Sequence, residues 1–171
     1  MRTVVLGERP VELEDLIARR RALGQDGHDE IWEGDYHVAP HAHSHHGMVE
    51  RQVEVRLFGP ARAAGLVTGG SFNLGEPTDF RVPDGGYHRT APHTLYVPTA
   101  AIVVEVLSPS DETFAKFGFY AAHGVEEILV ADPATRTVRC WHLVGGRYGE
   151  SAASGLLGLP MAALQADIDW P

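Results

Sequence analysis

The chain has 171 residues, of which 44% are hydrophobic and 22% are charged, which is enough apolar material for one domain with its own core. Its formal net charge of −9 argues against a broad electrostatic grip on nucleic acid, since DNA-binding proteins usually carry a basic patch or stripe. The single cysteine, Cys140, excludes an intrachain disulfide framework and fits a reducing compartment. Because no apolar run approaches membrane-spanning length and the N-terminus lacks a signal-peptide pattern, we expect one cytoplasmic domain over residues 1–171 that contacts no membrane.

The first third of the chain predicts a helix, a hairpin and a second helix. Pro10 opens an amphipathic helix pattern. Residues 30–38 alternate polar and apolar side chains around a central glycine, as a β-hairpin does. A second helix is expected from His46 until Gly59-Pro60 interrupts it.

Histidines are concentrated just before this second helix, in the run Pro40-His-Ala-His-Ser-His-His46. Imidazoles four residues apart, such as those of His41 and His45, can share one helix face and bind zinc. However, no cysteine or acid accompanies them at the spacing of a known zinc motif, and polar residues are common at helix N-termini. We therefore interpret them as surface or capping residues, and keep a small-molecule metalloenzyme that uses them as a further functional class.

The middle of the chain predicts a strand followed by a turn and a loop. Residues 79–82 form the strand pattern, which Pro83-Asp84-Gly85-Gly86 terminates, because Pro, Asp and Gly are the usual residues of turns. On this pattern alone, Asp84 is a turn residue. Residues 87–99, which include histidines and prolines, indicate an irregular loop.

Glu105 interrupts the most apolar strand pattern of the chain. Residues 101–107 are a near-continuous β-branched and aliphatic run, typical of a strand that is buried on both faces. A lone ionised carboxylate in such a strand destabilises the fold unless a cation or a set of donors compensates it. Side-chain alternation puts Glu105 on the face shared by Val103 and Leu107, where a metal ion is the obvious partner.

A helix that carries a lysine follows this strand. Ser110 or Asp111 can cap the helix, and Lys116 and Tyr120 lie on one of its faces at i and i+4. The rest of the chain predicts, in order, strands over residues 127–132 and 137–144, a hairpin turn at 145–146 and an apolar packing segment over 156–164.

A strand that ends in an acid, a buried strand with a second acid and a helix with a lysine follow one another in this chain. In this order the chain resembles the Uma-two family of restriction-endonuclease-like proteins, within the PD-(D/E)XK nuclease superfamily. The resemblance covers roughly Asp29 to Glu150. The motifs that carry it are Glu30-Ile-Trp-Glu33-Gly34, the histidine approach to a helix at His46, Arg81-Val-Pro-Asp84, Val103-Val-Glu105-Val-Leu-Ser-Pro-Ser110, Lys116-Phe-Gly-Phe-Tyr120 and Ile128-Leu-Val-Ala-Asp132-Pro133.

The resemblance implies an α/β (α+β) fold of the restriction-endonuclease type, with a mixed central β-sheet flanked by helices. It implies that Asp84 and Glu105 bind Mg²⁺ or Mn²⁺ and that both acids and Lys116 are catalytic. Further candidates for the site are Glu30, Glu33, His46 and Tyr120. The activity that the resemblance implies is hydrolysis of phosphodiester bonds in nucleic acid, with DNA as the first choice, by a protein that pairs as a homodimer.

One position departs from the superfamily pattern. A lysine usually follows the strand acid by two residues, and this chain has Leu107 there, so Lys116 is the nearest substitute. Two alternatives stay open: Glu105 and Lys116 form a buried ion pair without any chemistry, or the chain is a non-catalytic binding module that keeps the nuclease fold.

Overall fold

The computed structural model describes residues 4–6, 11–39, 43–109 and 112–171. Within these ranges the helices are α1 (Val11–Ala22), α2 (Ser44–Ala63), a 3-10 helix (Thr113–Lys116), α3 (Phe117–Ala122) and α4 (Met161–Ala166). The strands are β1 (Val4–Leu6), β2 (Glu30–Trp32), β3 (Asp35–Val38), β4 (Val67–Gly69), β5 (Asn73–Glu76), β6 (Asp79–Arg81), β7 (Gly85–His88), β8 (Tyr96–Val97), β9 (Ile102–Val106), β10 (Glu127–Asp132), β11 (Thr137–Val144), β12 (Arg147–Ser151), β13 (Ala153–Ser154) and β14 (Leu159–Pro160).

The central sheet is mixed and has the strand order β12-β11-β10-β9-β7-β4. β9 and β10 are parallel, whereas β7 pairs antiparallel with β9 and β11 pairs antiparallel with β10. Every residue of β9 is buried, as expected for a strand in the middle of a sheet that is covered on both faces. The predicted mixed sheet flanked by helices is confirmed.

The two faces of the central sheet bury different side chains. On the face covered by α2 and α4, Val104 of β9 packs in one cluster with Leu57. On the opposite face, Val103 packs in a second cluster with Tyr120 of α3. Glu105 lies on this second face, because its carboxylate contacts the Tyr120 hydroxyl, and the alternation expected from the sequence is therefore observed.

A second sheet, which the sequence did not predict, has the order β1-β3-β2-β6-β5-β8. The hairpin expected over residues 30–38 is present as β2 and β3. Its turn contains Glu33 and Gly34, both with positive φ, at 51° and 97°. β2 also pairs with β6 through Ile31 and Phe80, and this pairing brings Glu30 towards the strand that precedes Asp84.

The predicted interruption of the second helix at Gly59-Pro60 is wrong, because α2 continues through both residues to Ala63. Pro60 costs α2 one backbone hydrogen bond, because it has no N–H to donate, but Pro60 O still accepts a hydrogen bond from Ala64 N at 2.9 Å. The buried side chains of Leu57 and Ala61 anchor the turns on either side of the proline. None of the described helices is long and apolar enough to cross a membrane.

The turn and loop predicted after Asp84 are also wrong in part. Gly85 and Gly86 begin β7 and pair with Val104 and Val103 of β9, and part of the expected loop forms β8. Position 86 of this strand requires glycine, because a Cβ there would overlap the ring of Phe72. The glycine that suggested a turn in the sequence instead allows β7 to pass close to the ring of Phe72.

Gly75 in β5 has a φ of +121°, and a Cβ there would overlap the carbonyl oxygen of Asp79. Replacing Gly75 with alanine is therefore expected to lower the free energy of unfolding by about 1–3 kcal/mol, measured by urea denaturation. Gly59→Ala is the matched control. Gly59 lies in α2 with open space around it, so its replacement should raise stability by roughly 0.5–1 kcal/mol. A neutral Gly75→Ala would contradict the strain argument.

Candidate active site on the central sheet

Glu105 lies in a buried cluster of charged and polar side chains. It is 3% exposed, and its Oε1 accepts hydrogen bonds from the Tyr120 hydroxyl and, at 3.3 Å, from Lys116 Nζ. The same Nζ lies 2.9 Å from Oε1 of Glu30. When all three charged groups are ionised, two carboxylates share one ammonium, and the cluster has an excess negative charge that favours a cation nearby.

Glu30 is held in place from both of its carboxylate oxygens. Oε1 accepts a hydrogen bond from the backbone N–H of Val82 at 2.7 Å, and Oε2 accepts one from Trp32 Nε1 at 2.6 Å. Because Val82 follows β6 directly, the pairing between β2 and β6 is what brings Glu30 to Lys116. These two hydrogen bonds orient the Glu30 carboxylate towards Lys116.

Lys116 reaches β9 from the end of the 3-10 helix, where the sequence predicted an α-helix. The predicted caps of that helix, Ser110 and Asp111, lie outside the described residues. At the position where the superfamily pattern has a lysine, Leu107 is partly buried and packs against the apolar cluster on this face. Lys116 is the only lysine of the chain, a signal that the sequence reading overlooked. Its long stem allows the ammonium to span the gap between helix and sheet.

Asp84 directly precedes β7 and lies beside Glu105. The register that pairs Gly85 with Val104, continued by one residue, places Asp84 opposite Glu105. Asp84 Oδ2 accepts a hydrogen bond from the N–H of Val106 at 2.7 Å. Its other oxygen, Oδ1, lies 3.1 Å from Nε2 of His46.

His46, Glu50 and Asp84 form a group that could hold a metal ion. One ligand atom from each of the three residues lies within 4.8 Å of the others, and His46 Nε2 is 3.8 Å from Glu50 Oε2. His46 was a candidate from the sequence, whereas Glu50 was not. The signal for Glu50 is its i,i+4 spacing from His46 on α2, which puts both side chains on one helix face.

Burial and neighbouring charges together shift the pKa values of the ionisable groups in the site. Burial raises the pKa of Glu105 above its ordinary value, although Lys116 opposes this shift. Burial lowers the pKa of Lys116, but Glu105 and Glu30 reverse the effect, so that its pKa lies above the ordinary value and the ammonium is retained. Burial raises the pKa of Glu50, and the negative charge of Asp84 raises it further. A bound cation would favour the ionised form of these carboxylates.

The structure leaves other sequence candidates outside this cluster. Glu33 lies in the exposed turn between β2 and β3, where its backbone N–H donates to Asp79 Oδ1 at 3.1 Å. His43 caps α2, since its Nδ1 accepts from the N–H of His45 at 3.2 Å. His45 is exposed, and His41, the other member of the proposed zinc pair, lies outside the described residues.

A second group of possible metal ligands lies at the start of β10 and on the neighbouring strand β11. One ligand atom from each of Glu127, Cys140 and His142 lies within 4.8 Å of the others. Glu127 already accepts hydrogen bonds from the Ser154 hydroxyl and, at 2.9 Å, from the N–H of Leu156. Since His142 Nε2 lies 3.3 Å from the same carboxylate, the group fastens the segment around Ser154 to the sheet.

Comparison with known proteins gives a family match and a fold match. The family model Uma2, described as "Putative restriction endonuclease", matches residues 12–168. The crystal structure of a putative nuclease belonging to DUF820 from Anabaena variabilis superposes with a TM-score of 0.65 at 12% identity, over 82% of this chain and 90% of that chain. At this identity the likeness concerns the fold alone. The comparison with curated proteins finds no match.

Proposed function

The chain belongs to the Uma2 family of putative restriction endonucleases, and on this premise we propose that it is a metal-dependent nuclease that hydrolyses phosphodiester bonds, with DNA as its substrate. The observation that supports this proposal is the buried contact of Lys116 with Glu105 and Glu30, directly beside Asp84. Cutting both strands of a duplex takes two such sites, and pairing of two copies of the chain would supply them.

The donor set fits a hard divalent cation. Asp84 and Glu105 offer carboxylate oxygens, the ligands that Mg²⁺ prefers, and the group of His46, Glu50 and Asp84 adds a third carboxylate and an imidazole that suits Mn²⁺. Asp84 and Glu105 are the proposed ligands, with Glu50 and His46 beside them. When bound, the cation would polarise the phosphoryl group and lower the pKa of a bound water.

The protein groups around this position are preorganised for hydrolysis. Negative charge grows on the phosphoryl oxygens as water attacks in line with the leaving oxygen. Lys116 Nζ, held by two carboxylates, is a fixed donor that can orient the attacking water or offset that charge. The Tyr120 hydroxyl holds Glu105 and the Val106 N–H holds Asp84. Neither carboxylate therefore has to reorient during the reaction.

A non-catalytic binding module with the same fold is the second candidate function. The observation that favours it is the completeness of the cluster, because Glu30, Glu105 and Lys116 already pair with one another. A site of this kind would be a structural ion-pair network. It predicts no stabilisation by divalent cations, whereas the nuclease proposal predicts a clear one.

Nicking of supercoiled plasmid DNA tests the proposal. Wild-type protein with Mg²⁺ or Mn²⁺ is expected to convert supercoiled plasmid to the relaxed and linear forms, and an excess of EDTA should stop the reaction. Asp84→Asn is the matched inactive control, because the amide keeps the shape of the side chain but loses its charge. If the wild type fails to nick DNA both with Mg²⁺ and with Mn²⁺, the nuclease proposal is wrong and the binding module is favoured.

A further inference from the structure

A row of paired residues crosses the central sheet from the candidate site to an arginine. Glu105 pairs with Val130 of β10, and Val130 pairs with Arg139 of β11. Residues paired across neighbouring strands lie on the same face of a sheet, so Arg139 shares the face of Glu105. The two residues are two strand spacings apart, or about 10 Å between backbones.

Arg139 meets an exposed aromatic ring on this face. Its guanidinium carbon lies 5.4 Å from the ring centroid of Phe114 and 4.9 Å from that of Trp141. Phe114 is 47% exposed although it is a large apolar side chain. It precedes Lys116 by two residues in the 3-10 helix, so the aromatic surface and the catalytic lysine candidate belong to one short element.

The guanidinium of Arg139 has its charge available. Some arginines of the described chain pair with carboxylates, for example Arg20 with Asp29 at 2.8 Å and Arg89 with Glu126 at 2.6 Å. Within the described residues, Arg139 has no carboxylate at ion-pair distance. The chain as a whole has a net charge of −9, which repels a polyanion. The guanidinium of Arg139, which lies on aromatic rings, is a local positive charge that a polyanion such as nucleic acid can contact.

We propose that Phe114 and Arg139, named here the Phe114–Arg139 patch, bind the nucleic-acid strand next to the bond that is cut. An unpaired base stacks on the exposed ring of Phe114, and Arg139 contacts a phosphate. The distance of about 10 Å between the backbones of Arg139 and Glu105 places the patch within a few nucleotides of the candidate site. This inference rests on the proposed nuclease function and adds to it a preference for strands with unpaired bases.

Salt-dependent binding of a labelled oligonucleotide tests the patch. Binding is measured by fluorescence anisotropy with Ca²⁺ at several salt concentrations, once with a single strand and once with the duplex of the same sequence. Arg139→Met keeps the apolar stem and removes one phosphate contact, so the negative slope of log K against log salt on the single strand should become shallower by about 0.7. Phe114→Ala should weaken single-strand binding by about fivefold or more and duplex binding by less.

Two further variants serve as controls. Arg147 lies on β12 next to the opposite end of β11 and is exposed, so Arg147→Met removes the same charge away from the patch and should leave the slope unchanged. Arg139→Lys keeps the charge and should restore the slope of the wild type. Unfolding temperatures of all variants show whether any loss of binding comes from loss of the fold.

The possible outcomes separate this inference from the proposed function. If Arg139→Met and Arg147→Met change the slope equally, or neither changes it, the patch is wrong even when the wild type nicks plasmid. The patch is also wrong if the wild-type protein binds no oligonucleotide. Absence of plasmid nicking, by contrast, refutes the nuclease proposal, and oligonucleotide binding that depends on Arg139 would then still support the patch.

Discussion

Lys116→Met is expected to slow Mn²⁺-dependent nicking of plasmid DNA by at least about tenfold, which corresponds to about 1.4 kcal/mol of transition-state stabilisation. The reason is that the ammonium of Lys116, placed 2.9 Å from Glu30 and 3.3 Å from Glu105, is the nearest fixed donor for charge that develops at the site. Metal affinity should stay similar or rise slightly, because a competing positive charge is removed. Initial nicking rates and cation titrations measure the two effects separately.

The same substitution should also destabilise the metal-free protein. Methionine leaves the carboxylates of Glu30 and Glu105 buried without their cation, and removal of one partner of a buried ion pair typically costs about 3–5 kcal/mol. Since a divalent cation can replace the missing charge, added Mn²⁺ should restore much of the lost stability. Urea denaturation with and without Mn²⁺ measures this rescue.

Arg62→Met is the control for Lys116→Met, because it removes one positive charge from the exposed side of α2 and should leave nicking unchanged. Nicking by Lys116→Met at the wild-type rate, at a temperature where both proteins are folded, would refute the catalytic role of Lys116. A loss of stability without any change in nicking would leave Lys116 with a structural role alone.

Glu105→Gln is expected to abolish stabilisation by divalent cations while the fold stays intact. The amide is nearly isosteric with the carboxylate, and its oxygen can still accept the hydrogen bond of Tyr120, but it has no charge to offer a cation. At a cation concentration about a hundredfold above its Kd, the wild type should gain about 2.7 kcal/mol of stability. For a chain of this size, that gain raises the unfolding temperature by roughly 5–10 °C.

Asp29→Asn provides a matched control for Glu105→Gln. Asp29 is as buried as Glu105, at 2% against 3% exposure, but it accepts hydrogen bonds from Arg20, Tyr36 and the N–H of Ala39 and belongs to neither group of possible metal ligands among the described residues. Its replacement should lower the unfolding temperature and leave the rise with Mg²⁺ or Mn²⁺ unchanged. Unaltered cation stabilisation in Glu105→Gln would exclude this residue as a ligand.

The sequence by itself determined the sheet strand that carries the candidate site. An apolar run with one acid predicts a doubly buried strand whose acid needs a partner, because burial without compensation is costly, and Glu105 is buried in β9 with Lys116 and Tyr120 around it. The spacing of Lys116 and Tyr120 likewise follows from local helical geometry. These inferences need only the immediate neighbours along the chain.

Only the tertiary structure decided which distant residues complete the site. Glu30 reaches Lys116 because β2 pairs with β6, and His46 and Glu50 reach Asp84 because the start of α2 packs beside β7. The glycines after Asp84 have the sequence pattern of a turn, but they lie in β7. The Phe72 ring beside Gly86 explains why this strand position is a glycine. Contacts between residues far apart in sequence depend on how helices and sheets pack, and a local residue pattern does not specify that packing.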